Sequence, residues 1–265
     1  MASARARFGR LALDELAIED AASFRHVALV SELTEVLRRE DYTFRTLSPG
    51  KAQSWNRALF LNLTFWGAAE GGDILVGARV PADVVAHVAW HRLATKALSA
   101  PGEARPAVDA LFLGEAIASA FDLYLVGRVL GHAPDSSFLA TQVEAMAETA
   151  SASGLREAAF EALLGEIAGD PEGAFAGLRE LLVDATSALF ASARAEDALA
   201  VLARFESHRF GALLHRYELA NWVLYARAYG DPAPSAKARR AEKALRKAKD
   251  PLEWLVDSWV RPALR

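Results

Sequence analysis

The chain contains no cysteine, which excludes a disulfide framework, a thiolate metal site, an iron–sulfur cluster and a cysteine nucleophile. It also lacks a strong excess of charge. Thirty Lys and Arg against 34 Asp and Glu leave −4 over 265 residues, without the concentrated positive face that a general nucleic-acid binder needs. An export signal is missing from the first residues, because Arg5, Arg7 and Arg10 are followed by Asp14, Glu15, Glu19 and Asp20 where an unbroken apolar core would be required. Long apolar runs are missing too. The most apolar stretch, Leu111 to Leu130, is interrupted by Glu115, Asp122 and Arg128, so it reads as a buried helix and not as a membrane span. Together these absences predict a cytoplasmic protein of bacterial type, with no membrane span and no nucleic-acid partner.

Alanine is what the chain has in excess, at about a fifth of all residues, beside charges of both signs. That mixture favours helix, because alanine loses no side-chain entropy there. Residues 11 to 40 place Leu29, Leu33, Val36 and Leu37 at the three and four spacing of one or two amphipathic helices. From Asp41 to Val80 the pattern alternates and becomes aromatic: Tyr42, Phe44, Leu59, Leu61, Leu63, Phe65, Ile74 and Val76, punctuated by Ser48-Pro49-Gly50 and by Gly71-Gly72. This predicts a small antiparallel sheet, with Gly71-Gly72 as a hairpin turn. Pro81-Ala82-Asp83 opens a helix running to about Ser99, and a second apolar helix spans about Ala107 to Leu130, closed by Gly131.

Residues 137 to 230 read as helices broken at Ser151 to Gly154, at Gly169-Asp170-Pro171 and near Ala193 to Glu196. Asp231 to Ser235 reads as a linker. The tail beyond it holds Lys237, Arg239, Arg240, Lys243, Arg246, Lys247 and Lys249, a solvated helix face or a contact for an anionic partner. The predicted organisation is a core over 1–135 with the sheet and the helix pair, a helical lobe over 136–230, and a linker with a basic helix over 231–265.

Chemistry concentrates in Asp83-Val84-Val85-Ala86-His87-Val88-Ala89-Trp90-His91. His87 and His91 are four apart on a helix, so both imidazoles project from one face and can share a cation. Glu115 lies 24 residues after His91, inside the second apolar helix, where an uncompensated carboxylate costs several kcal/mol. Two imidazoles and a carboxylate from the next helix make the three-ligand arrangement, with one open position, that zinc takes in hydrolytic sites. The metal-free alternative is a histidine pair held by neighbouring carboxylates, with Glu115 paired to Arg92 or Arg128.

The segment from Asp83 to His91 resembles the D-V-V-x-H-E-x-x-H helix of the thermolysin-like zinc metallopeptidases, the gluzincins, and Gly114-Glu115-Ala116-Ile117-Ala118-Ser119 resembles the N-E-A-I-S-D segment carrying their third ligand. Asn62-Leu63-Thr64-Phe65-Trp66 and Asp73-Ile74-Leu75-Val76-Gly77 are similar to the sheet segments bordering that family's substrate cleft. The likeness covers residues 60 to 128. It implies Zn2+ held by His87, His91 and Glu115, a peptide or protein ligand in the cleft, and an α+β, predominantly α-helical fold in which a small antiparallel sheet packs on the metal-binding helix pair and a helical lobe follows.

Three departures bear on activity. Val88 stands where the family has its general-base glutamate, and a valine cannot take a proton from attacking water, a step worth roughly 10²–10⁴-fold. Gly114 replaces the asparagine before the third ligand. Ser119 falls where the family places an aspartate that orients a ligand histidine, and Asp122, seven residues after Glu115 on the same helix face, is the candidate replacement. For the oxyanion partner, His132, His208, His215 and Tyr124 are candidates by residue type, and Glu70 is a conceivable substitute base. His208 and His215, seven apart on one predicted helix with Glu218 beyond, form a second candidate set. Trp55, Trp66 and Trp90 read as core or cleft-wall aromatics. The expectation is a divergent zinc-binding metallopeptidase-like protein impaired as a peptidase. The alternative is a non-enzymatic helical interaction module that retains a relic framework.

Overall fold

The structure, a computed structural model, describes residues 8–47, 74, 75, 77–99 and 105–265. The fold is α+β and predominantly helical. The chain divides into two compact units, Met1–Ala89 with Leu264, and Trp90–Ala263 with Arg265. The division falls inside one continuous helix, and the boundaries read at 135 and 230 both lie within the second unit.

In the first unit, strand β1 (Phe8–Ala12) pairs antiparallel with β3 (Thr43–Leu47), which pairs parallel with β4 (Ile74–Leu75). A second, two-stranded sheet joins β2 (Ala17–Glu19) in parallel with β5 (Arg79–Pro81). Among the described residues, the expected antiparallel sheet over 41–80 shows one antiparallel ladder and two parallel ones, and the N-terminal residues take part in it. Those residues had a helical spacing. Pairing with distant partners overrides that local preference, since each short strand satisfies its amides only through the segment it meets. Between the strands the chain makes 3₁₀ turns at Leu13–Glu15 and Ala21–Phe24, with Asp20 in the left-handed region at φ 56°. Helix α1 is therefore shorter than the periodicity suggested, Ala28–Arg39, and its spaced Val30, Leu33, Val36 and Leu37 are buried. The proposed strand residues Leu59, Leu61, Leu63, Phe65 and Val76, the Gly71-Gly72 turn, and Trp55 and Trp66 lie outside the described residues.

Helix α2 (Ala82–Leu98) begins directly after Pro81, and α3 (Val108–Leu130) ends at Gly131. Within the second unit α3 is the central element. It is apolar on every side and buries residues all round, so it must be enclosed by other helices. These are α4 (Ser137–Ala152), α5 (Glu157–Gly169), α6 (Pro171–Ala191), α8 (Arg216–Tyr229) and α9 (Ala236–Lys247), with the short α7 (Ala198–Ala203) against α6. Helix α3 is the one described helix long and apolar enough to cross a membrane, and 83% of its most apolar window is buried inside the protein. Gly127 permits the closest approach, because a Cβ there would sit 2.5 Å from the Ile167 carbonyl oxygen.

The three lobe breaks that the sequence placed are present, and a further one, over 204–215, was not expected. Asp170 caps α6 by accepting from the Gly173 amide at 2.9 Å, with Pro171 at the first helical position. The expected linker is not a loose one. Val108 N donates to Asp231 O at 2.9 Å and Asp231 N donates to Pro106 O at 2.8 Å, while the Ser235 amide donates to the Asp109 carboxylate at 2.9 and 3.1 Å. The tail continues through α9, α10 (Pro251–Leu255), a π-helical turn at Val256–Val260 and α11 (Arg261–Ala263), burying Leu245, Leu255 and Val260.

Candidate metal centre

Helix α2 presents Asp83, His87 and His91 at successive four-residue intervals, and such a spacing puts all three on one face. His87 is buried at 9% exposure, and the His91 side chain is at 11%. From α3, in the same unit as His91, Glu115 brings a carboxylate at 5% exposure, and its Oε1 lies 3.2 Å from His91 Nε2. His87, one turn before His91 on the same continuous helix, completes the group. One ligand atom from each of the three lies within 4.8 Å of the others, and among the described residues no other set of three such side chains converges in this way.

Two features bring α2 and α3 close beside the group. Gly114 precedes Glu115, and a Cβ there would meet the Ala94 Cβ at 3.3 Å, so the glycine keeps that contact short. Trp90 next to His91 is fully buried, edge-on to Phe121 of α3 with ring centroids 5.5 Å apart. It is a core residue. Val88, which follows His87, is 2% exposed and packs in the core.

The donor set suits a divalent cation. Tetrahedral zinc with bonds of about 2.0–2.1 Å holds its donor atoms roughly 3.4 Å apart, close to the 3.2 Å His91–Glu115 separation. Two imidazoles with one carboxylate form a borderline nitrogen–oxygen site of the kind zinc accepts. The same 3.2 Å separation also permits an ion pair when His91 carries a proton.

Other candidates are placed differently. Asp122 lies two turns beyond Glu115 on α3, half-buried and outside the converging group. Asp83, whose position suggested only a charge for the helix N-terminus, is a buried carboxylate at 7% exposure. Its spacing from His87 and His91 was the available signal. Glu115 pairs with His91, whereas Arg128, one of its two expected partners, lies 3.6 Å from Glu172. Tyr124 is a core aromatic stacked on Phe121, and burial raises its pKa. His132 is exposed, and Glu70 lies outside the described residues.

The second histidine set does not share a helix. His208 sits in a turn, its Nδ1 accepting from the Phe210 amide at 3.1 Å, and burial lowers its pKa. His215 caps α8, its Nδ1 accepting from the Glu218 amide at 3.2 Å. A 3₁₀ turn at Gly211–Leu213 separates them, because the backbone folds so tightly at Gly211 that a Cβ there would lie 2.4 Å from the Phe205 carbonyl oxygen. Both rings serve local backbone. Comparison with known protein families, curated proteins and solved structures gave no match to this chain.

Proposed function

We propose that the protein binds one divalent cation, zinc by its donor chemistry, through His87, His91 and Glu115, and that it is a metallopeptidase-like protein of gluzincin type without ordinary peptidase activity. The observation that carries the reading is the convergence of three largely buried, ligand-type side chains within 4.8 Å of one another. Burying a carboxylate between two imidazoles is costly unless a charge compensates it. A bound cation would supply that charge, and Lewis acidity at its open position. His87 and His91 hold their rings on one helix face and Glu115 adds the negative charge. Val88 offers no atom that can accept a proton, so the role that fits these residues is binding a peptide-like ligand.

The second reading, a metal-free helical interaction protein, is favoured by the His91–Glu115 distance, which an ion pair explains without any cation. Elemental analysis of protein purified without added zinc separates the two. Near-stoichiometric zinc is expected, lost in His87→Ala and in Glu115→Ala while the helical circular-dichroism signal persists. Substoichiometric metal that His87→Ala leaves unchanged overturns the metal reading. Val88→Glu asks how much of the peptidase arrangement survives: proteolysis of an unfolded protein substrate, gained only with zinc bound, is the outcome an assembled site gives.

A further inference from the structure

A separate cavity of about 660 Å³ lies within the second unit, between the start of α3, the end of α6, the stitched Asp231–Ser235 segment and α9. Its size is that of a small-molecule site. The wall is apolar, built by Val108, Phe112, Val183, Phe190, Pro232 and Pro234. The charged lining is lopsided: Arg239, Lys243, Arg246 and Lys247 face only Asp109 and Glu242. Those two carboxylates are already engaged. Asp109 accepts from the Ser235 amide, and Glu242 holds Arg246 at 2.6 Å and the buried Arg179 at 2.5 Å. Arg246 is also taken, by Glu242 and by Asp184 at 2.6 Å.

Arg239, Lys243 and Lys247 remain. They stand at four-residue intervals on α9, all exposed, and none has a carboxylate partner among the described residues. An apolar trough is thus edged along one side by three uncompensated cations spanning about 12 Å of helix. We propose that this cavity binds a single-chain alkyl carboxylate, with the chain along the apolar wall and the head on the cationic edge. An arginine fork donates two parallel hydrogen bonds to a carboxylate, and lysines add point charge. A neutral apolar ligand would leave the cations unused, and a short carboxylate would leave the wall wet.

Decanoate, titrated into the full-length protein below its micelle concentration by isothermal calorimetry, tests this without touching the metal site. One equivalent is expected to bind, at least tenfold tighter than butyrate and than decyltrimethylammonium. The exposed-residue double variant Arg239→Glu/Lys243→Glu is expected to weaken decanoate at least tenfold, and Ser187→Trp, at a residue of α6 that also lines the trough, to weaken it similarly by filling the space without changing charge. Circular dichroism confirms that both variants fold. Absence of saturable decanoate binding overturns the proposal. Equal affinity of wild type and charge-reversed protein overturns it as well, because the groove would then be merely greasy. Co-sedimentation with phosphatidylglycerol vesicles in place of monomer binding would make the edge a membrane-contact stripe and likewise overturn it.

Discussion

Two histidine pairs in this chain look alike in sequence and behave differently in the fold. His87 and His91 are four apart on a helix that exists, buried beside a carboxylate from a second helix. His208 and His215 are seven apart, another helical spacing, but the helix is absent. Each of their rings spends Nδ1 on a nearby backbone amide. An imidazole whose Nδ1 accepts a backbone N–H is locally occupied and serves the chain's own hydrogen-bond accounting. Spacing identifies a site only where the intervening backbone is helical and a third group arrives from elsewhere.

The sharpest way to break this contrast is to remove one ring from each pair. His91→Ala is expected to lower zinc affinity by more than about 100-fold, judged against the 10–100-fold that even outer-shell partners command. His208→Ala and His215→Ala should leave bound zinc unchanged in equilibrium dialysis. A contrary result for the second pair would erase the distinction.

A smaller effect is expected from the helix contact beside the first pair. Gly114→Asn must displace Ala94, whose Cβ lies 3.3 Å from the added atom. Overpacking of this kind costs about 1–3 kcal/mol, read as a lower urea midpoint, and zinc affinity should fall with it. Gly131→Asn, at a position with nothing within 4 Å, is the control and should do neither.

The second pair predicts effects on stability alone. His215→Ala removes an N-cap and should cost about 1 kcal/mol, which His215→Asn restores. His208 has a folded-state pKa held below its ordinary value by burial. Unfolded chain therefore binds more protons as the solution is acidified, and the stability contributed by the neutral ring is present above about pH 6.5. It is lost as pH falls through the folded pKa. Comparing urea midpoints at neutral and mildly acidic pH, His208→Gln should flatten part of the wild-type decline.

What was legible in the chain follows the same physics. Helices α2 and α3 could be read with their ends, because Pro81, Gly131 and a continuous apolar pattern are local signals. The grouping of His87, His91 and Glu115 was expected from the resemblance to the gluzincin segments, with a charge inside an apolar helix in support; the four-residue spacing by itself suits a carboxylate-held histidine pair equally well. The sheets were not. Leu11 meets Phe44 and Ile18 meets Val80, and no short-range pattern in Phe8–Glu19 announces such distant partners. The role of Gly114 was also hidden, since a glycine that shortens a helix contact looks in sequence like any other. Asp231–Ser235 has a linker's composition, and only the hydrogen bonds it exchanges with the Pro106–Asp109 segment reveal that it is fastened.

That fastening changes what a shortened chain would be. The bridge between Ala107 and Asp231 ties the entrance of the central helix to the last 35 residues, and Val108 packs so near Gly230 that an added methyl there would collide at 2.7 Å. A stop codon or a protease cut at the prolines would strip the cover from Phe112 and release the partner of the buried Arg179 along with it. The product would be a partly uncovered apolar helix beside a buried guanidinium left with Glu180 alone, a substrate for chaperones and degradation more than a trimmed version of the same molecule.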